Sequence, residues 1–192
     1  MLVGTQIVAK GHDFPDVHLA VVVGADHVLM MPDFRAAERC FSLLTQLAGR
    51  SGRGEKKGRV LVQTHHPMHF ALQKLGDYKA FFDREIHERE VLSHPPFGRL
   101  CLIRLEGSDR YTVQQAAFDL AKELRNQVNS TQIQVLGPAP AALPKLLGRW
   151  RFQLVLRGMN ARAFRQWLST LNLSPPAKSI RMTVDMDPRY LM

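Results

Sequence analysis

Two consecutive prolines, Pro95 and Pro96, constrain the folding of this chain more than any other residues. Neither can donate a backbone hydrogen bond, and each drives the residue before it away from helical geometry. The charged amphipathic stretch Asp77–Leu92, which reads as a helix, therefore has to end ahead of them. The chain is expected to divide around this point into a segment 1–76, a linking helix 77–94 and a domain 95–192.

Upstream, a short strand is expected to end near Gly4. The run Leu19, Ala20, Val21, Val22, Val23 within His18–Gly24 has no polar face, the pattern of a strand covered on both sides. Asp33 is placed to cap a helix whose Phe34, Ala37, Phe41, Leu44 and Leu47 share one face and which stops around Gly49–Gly52. A strand over Arg59–Gln63 completes an alternating α/β pattern, part of a larger parallel sheet. Downstream, the periodicity predicts strand Phe97–Leu105, helix Asp109–Val128, strand Ile133–Leu136, a stiff loop with Pro138, Pro140 and Pro144, strand Arg149–Arg157, helix Asn160–Leu171 and strand Ser179–Asp185. This β-α-β-β-α-β order is ferredoxin-like, an α+β domain. Val113, Ala117, Leu120, Leu124 and Val128 form one apolar helix face, and Phe164, Trp167, Leu168 and Leu171 the other. Both helices should cover the same side of the sheet and leave the opposite side to water or a ligand.

Charge singles out that second domain. The chain carries 26 Lys plus Arg against 17 Asp plus Glu, a net +9, and no acid occurs between Glu123 and Asp185. A block of one sign speaks for a polyanionic partner, either nucleic acid or the acidic tail of a protein. Alternation along Arg149–Arg157 sends Trp150, Phe152, Leu154 and Leu156 to the helices and puts Arg149, Arg151 and Arg157 on the open face, where Arg181 of the last strand joins them. The face is expected to lack acids, and about five phosphate contacts would give a salt slope near −4 or −5. Base-stacking RNA modules present aromatics on such a face, and this one offers guanidiniums.

Other classes are excluded more simply. The longest apolar run, Leu19–Ala25, is far shorter than the roughly 20 residues of a spanning helix. No apolar leader follows Met1, so a cytoplasmic protein without membrane contact is expected. Cys40 and Cys101 sit in apolar patterns and read as buried, reduced thiols. His65, His66 and His69 could suggest a metal site, but the i, i+4 pair His65 and His69 has no apparent third ligand and Pro67 interrupts the helix, so no metal site is expected.

Two segments carry more specific chemistry. Gly4-Thr5-Gln6 followed by Lys10-Gly11-His12-Asp13-Phe14-Pro15, and then Gln46-Leu47-Ala48-Gly49-Arg50-Ser51-Gly52-Arg53, resemble motifs V and VI of superfamily 2 helicases. Phosphoryl transfer depends on cations that meet charge developing on the γ-phosphate, and an arginine so placed is worth about 10³ to 10⁵ in rate. With the run Met31–Arg39, Pro95-Pro96-Phe97-Gly98, Gly137-Pro138-Ala139-Pro140, Gly148-Arg149-Trp150-Arg151 and Val184-Asp185-Met186-Asp187-Pro188, essentially the whole chain is similar to the C-terminal part of the PriA family of replication-restart helicases.

By that resemblance, residues 1 to about 75 would be the last part of a second RecA-like lobe, and 95–192 an S10-like domain that binds branched DNA and single-stranded DNA-binding protein. Gln46, Arg50 and Arg53 match positions that face the γ-phosphate, with Arg50 or Arg53 as the arginine finger. Gly11 and Asp13 match positions near the nucleotide, and Gly49 and Gly52 let the backbone approach it; Thr5, Gln6 and Lys10 match the DNA side. The resemblance implies ATP and Mg as cofactors, forked and single-stranded DNA as substrates, and other primosome proteins as partners. The chain contains no G-x-x-x-x-G-K-[ST] loop and no D-E-x-H box, so ATP and Mg would be shared with an upstream lobe. The family's zinc module also lies upstream, so zinc is not expected here. The alternatives are a stand-alone nucleic-acid or partner-binding adaptor without motor activity, and a ribosome-associated S10-like protein that prefers RNA.

Overall fold

Strands β1 (Leu19–Val22) and β2 (Arg59–Val62) pair in parallel, with Leu19 opposite Arg59 and Val22 opposite Val62. They belong to a computed structural model that describes residues 3–4, 18–49, 59–128 and 130–191. The chain divides into two units, Met1–Glu88 and Arg89–Met192. In the first, helices α1 (Asp26–Leu29), α2 (Ala36–Ala48), α3 (Phe70–Gln73) and α4 (Tyr78–Val91, whose end lies in the second unit) accompany the two strands. Leu29, Cys40, Phe41, Leu44, Ala71 and Phe81 form its core, with Val22 and Val62 packed against it. Phe41 and Phe81 stack with ring centroids 3.9 Å apart.

Two expectations for this unit need correction. The β1 strand is not buried on both faces: Leu19, Val21 and Leu61 are 53%, 56% and 57% exposed, because the core packs on the alternate residues only. Asp33 is not the N-cap of α2. Arg35 holds that position without a side-chain cap, and the buried Asp33 carboxylate instead accepts from Arg35 N and pairs with Arg39 Nη1, each at 2.9 Å. Periodicity also passes over the single-turn helix α3, whose N-cap His69 accepts through Nδ1 from Ala71 N at 3.2 Å.

The second unit contains β3 (Arg99–Gly107), α5 (Arg110–Gln127), β4 (Ile133–Leu146), β5 (Arg149–Gly158), α6 (Ala161–Thr170) and β6 (Arg181–Met186). The sheet order is β4-β5-β3-β6 with every neighbour antiparallel, which is the split β-α-β arrangement expected. Asp109 caps α5 by accepting from Thr112 N at 2.7 Å, and Asn160 caps α6 by accepting from Arg162 N and Ala163 N. Residues of alternate parity on the strands, including Cys101, Ile103, Leu154 and Leu156, meet Ala121, Leu124, Phe164 and Trp167 from the helices. Leu105, Phe152, Val113, Ala117 and Ile180 extend the same layer. Burial pushes the Cys101 thiol up to about 12 and the Cys40 thiol up to about 11, so neither is a nucleophile at neutral pH.

The proline loop is a strand. β4 runs on to Leu146 and pairs with β5 through register shifts between Leu136 and Ala139 and between Pro140 and Lys145. The prolines are tolerated because β4 is an edge strand, where a missing N–H costs no ladder bond on the outer side. The face away from the helices is also less open than expected. Leu100 and Leu102 are 2% and 3% exposed there, since the segment after β6 folds across them and the Leu191 carbonyl accepts from Gln153 Nε2 at 3.0 Å.

Gly158 shows how tightly the helix layer sits on β5. A Cβ there would lie 2.4 Å from Phe164 Cβ, and Phe164 is fully buried. Gly158→Ala should destabilise the chain by about 2–3 kcal/mol through overpacking, read as a lower urea midpoint at unchanged slope.

Candidate nucleic-acid interface

The registers of β4, β5, β3 and β6 arrange the sheet face in rows. Arg149 pairs with Leu146 at the hairpin end. The next row crosses three strands, with Arg151 opposite Glu106 and Glu106 opposite Arg181. Then follow Gln153, Arg104 and Thr183, and after them Val155, Leu102 and Asp185. Arg157 stands beside Gln134 and Leu100 at the far end.

This arrangement overturns the expectation of an acid-free face. Arg151 is 8% exposed, and its Nε donates to Glu106 Oε1 at 3.0 Å. Arg157 donates from Nη1 to the Leu92 carbonyl at 2.9 Å and from Nη2 to Gln134 Oε1 at 2.6 Å. Asp187 pairs with Arg99 at 3.1 Å. The acid-free stretch was counted along the chain, whereas a sheet residue's neighbours come from other strands, and β3 brings Glu106 into the middle of the basic row. Arg149 and Arg181 are exposed, and neither forms an ion pair among the described residues. Of the four arginines expected on the face, two are held within the fold and two are available to a ligand.

Two further cations gather at the hairpin end. The ring of Trp150 has Arg110 Cζ 5.2 Å and Lys145 Nζ 5.1 Å from its centroid, and both cations are exposed. Sequence reading passed over them because Lys145 lies in the supposed loop and Arg110 just inside a helix. The signal available was Gly148 immediately before an alternating strand, a residue that tolerates the positive φ of a tight hairpin turn. Beside Arg157, a cavity of about 230 Å³ is lined by His94, Leu100, Leu136, Gln153, Val155 and Leu191. Burial, with Arg157 and Arg89 nearby, holds the His94 imidazole below its ordinary value and favours its neutral form.

Of the helicase-like positions, Gln46 is exposed in the last turn of α2, and Gly49 is its C-cap, donating to the Thr45 carbonyl at 2.9 Å. Thr5, Gln6, Lys10, Gly11, Asp13, Arg50, Gly52 and Arg53 lie outside the described residues. Among the described residues no cluster of His, Cys, Asp and Glu could hold a metal ion, and no helix is long and apolar enough to cross a membrane.

Comparison with known proteins adds to this geometry. The family described as primosomal protein N C-terminal domain matches residues 90–189. The chain is 37% identical over 190 residues to "Replication restart protein PriA" of Synechocystis sp., covering 98% of this chain and 23% of that protein. The proteins of the same name from Bacillus subtilis and Haemophilus influenzae are 34% and 35% identical, covering 100% of this chain and 24% and 27% of theirs. The chain thus spans about a quarter of the length of these relatives.

The ion pair in the second row from the hairpin end has a structural consequence. Glu106→Gln leaves the Arg151 guanidinium largely buried without its countercharge, and should cost about 3 kcal/mol in urea unfolding. Arg149→Glu on the exposed neighbour should change the unfolding free energy by less than about 0.5 kcal/mol.

Proposed function

We propose, from the premise that this chain belongs to the primosomal protein N C-terminal domain family, that it is the C-terminal part of an ATP-dependent 3′-to-5′ DNA helicase acting in replication restart. In this reading the helicase recognises stalled or branched forks and initiates primosome assembly, and the second unit of this chain docks the motor on DNA. The observation that carries the reading is the set of exposed cations Arg149, Arg181, Arg110 and Lys145 at the hairpin side of the sheet. Phosphate contacts supply most of non-specific affinity, and they need cations that the fold has not already neutralised.

The first unit fits the end of a RecA-like lobe. Its parallel strand pair has one apolar face built from Leu19, Val21 and Leu61, which suits packing under further elements of a larger α/β layer. Within the complete site Gln46, Arg50 and Arg53 would meet the γ-phosphate, with one of the two arginines stabilising transition-state charge. Gly11, Asp13, Gly49 and Gly52 would line the nucleotide, and Thr5, Gln6 and Lys10 the DNA strand. An upstream lobe would supply the lysine and magnesium ligands. Single-stranded DNA-binding protein, through its acidic tail, and other primosome proteins are the protein partners of this reading, in the cytoplasm.

Four phosphate contacts give a slope of log affinity against log salt near −3.6, at about −0.9 each. Fluorescence anisotropy with forked DNA should show this slope for the unaltered chain. With Arg149→Glu and Arg181→Glu together it should show a slope shallower by about 2. An unchanged slope in the double variant removes the docking role of this surface. The chain by itself should show no DNA-stimulated ATP hydrolysis, because it contains no phosphate loop, and a measurable rate contradicts the shared-site reading.

A further inference from the structure

The turn between β4 and β5 breaks a local rule. Leu146 and Arg149 are the last pair of the hairpin, so Leu147 and Gly148 form a two-residue loop, with φ of +48° and +78°. Such loops call for glycine, asparagine or aspartate where φ is positive, because a larger Cβ crowds the neighbouring carbonyl. A leucine in this conformation is strained, and its side chain recovers nothing by packing, being 94% exposed. A residue that is costly to the backbone and idle in the core points to a use outside the fold.

Its surroundings indicate which use. Leu143 and Leu146 on the same hairpin are 59% and 45% exposed, so the tip is apolar. Behind it stand Arg149, Lys145 and Arg110, the last two held against Trp150. The acids at this end are engaged within the fold, Glu106 with Arg151 and Asp109 in capping α5. An apolar point backed by cations that form no ion pair among the described residues matches the chemistry of a side chain that enters a base stack while its neighbours seat on flanking phosphates.

We propose that Leu147 is a wedge that inserts into the base stack of DNA at the junction of duplex and single strand, with Lys145, Arg149 and Arg110 on the adjoining phosphates. The proposal rests on the DNA-docking reading above and adds to it a specific position on the fork. A junction is favoured over continuous duplex because unstacking costs least where one neighbour is already unpaired. The hairpin end would thus discriminate forks from plain duplex by deformation, without reading base edges.

The experiment uses the whole chain and a synthetic fork carrying 2-aminopurine at the first paired position of the junction. Binding of the unaltered chain should raise the 2-aminopurine fluorescence several-fold. Leu147→Asn places a residue suited to the turn at the tip. It should melt about 2–4 °C higher, as expected when about 1 kcal/mol of turn strain is removed from a chain of this size. The same variant should bind plain duplex as before, lose the fluorescence rise, and prefer forks over duplex about tenfold less, the factor that corresponds to about 1.4 kcal/mol of wedge insertion lost. If the unaltered chain binds forks without a fluorescence change, or if Leu147→Asn keeps the full rise and preference, the wedge is overturned while DNA docking stands. Absence of any DNA binding by the unaltered chain overturns both. If Leu147→Asn leaves DNA behaviour untouched and instead weakens binding to single-stranded DNA-binding protein, the tip is a protein contact and the proposal falls.

Discussion

The register between β3 and β5 is the constraint on which the second unit depends. With Cys101 opposite Leu156, Ile103 opposite Leu154 and Leu105 opposite Phe152, three apolar rows face the helices. The intervening rows face the other way, and one of them sets Glu106 against Arg151. A slip of one residue would turn the apolar rows outward and leave both charges without partners. The same register decides which arginines are structural and which are available. It places the start of β5, where Arg149 lies, beyond the reach of the β3 acid.

Much of this was legible from periodicity. The β-α-β-β-α-β order, the apolar faces of both long helices and the inward aromatics of β5 follow from spacing alone, because packing selects a face at fixed periods. What was not legible depends on partners distant in sequence. Glu106 lies 45 positions from Arg151, and its meeting with that residue requires the sheet order. Pro138, Pro140 and Pro144 read as a loop because a proline argues against a strand until the strand is known to be at an edge. Leu191 covers Gln153 through a tail whose path no periodicity encodes. In the first unit, the unbroken apolar run of β1 reads as fully buried, yet two of its residues face outward. The run describes what the strand can be buried in, and the described residues cover one side of it.

These observations change what the net charge means. A basic stretch counted along the chain suggested a broad cationic sheet face. Arg151 and Arg157 instead tie β5 to β3, β4 and the segment leaving α4, and so hold the sheet together. The cations left for a polyanion are displaced toward one end, around a hairpin tip with an exposed leucine. Membership in the primosomal protein N C-terminal domain family is compatible with the DNA docking proposed above.

The central claim is that DNA meets the hairpin end of this sheet and not its middle. Phenylglyoxal modification of arginines, read by mass spectrometry with and without forked DNA, tests it side chain by side chain. The account predicts that Arg149, Arg181 and Arg110 react in the free chain and are protected by DNA, while Arg151 and Arg157 react in neither state. Modification of Arg151 or Arg157 that DNA suppresses, with Arg149 and Arg110 indifferent to DNA, would contradict it.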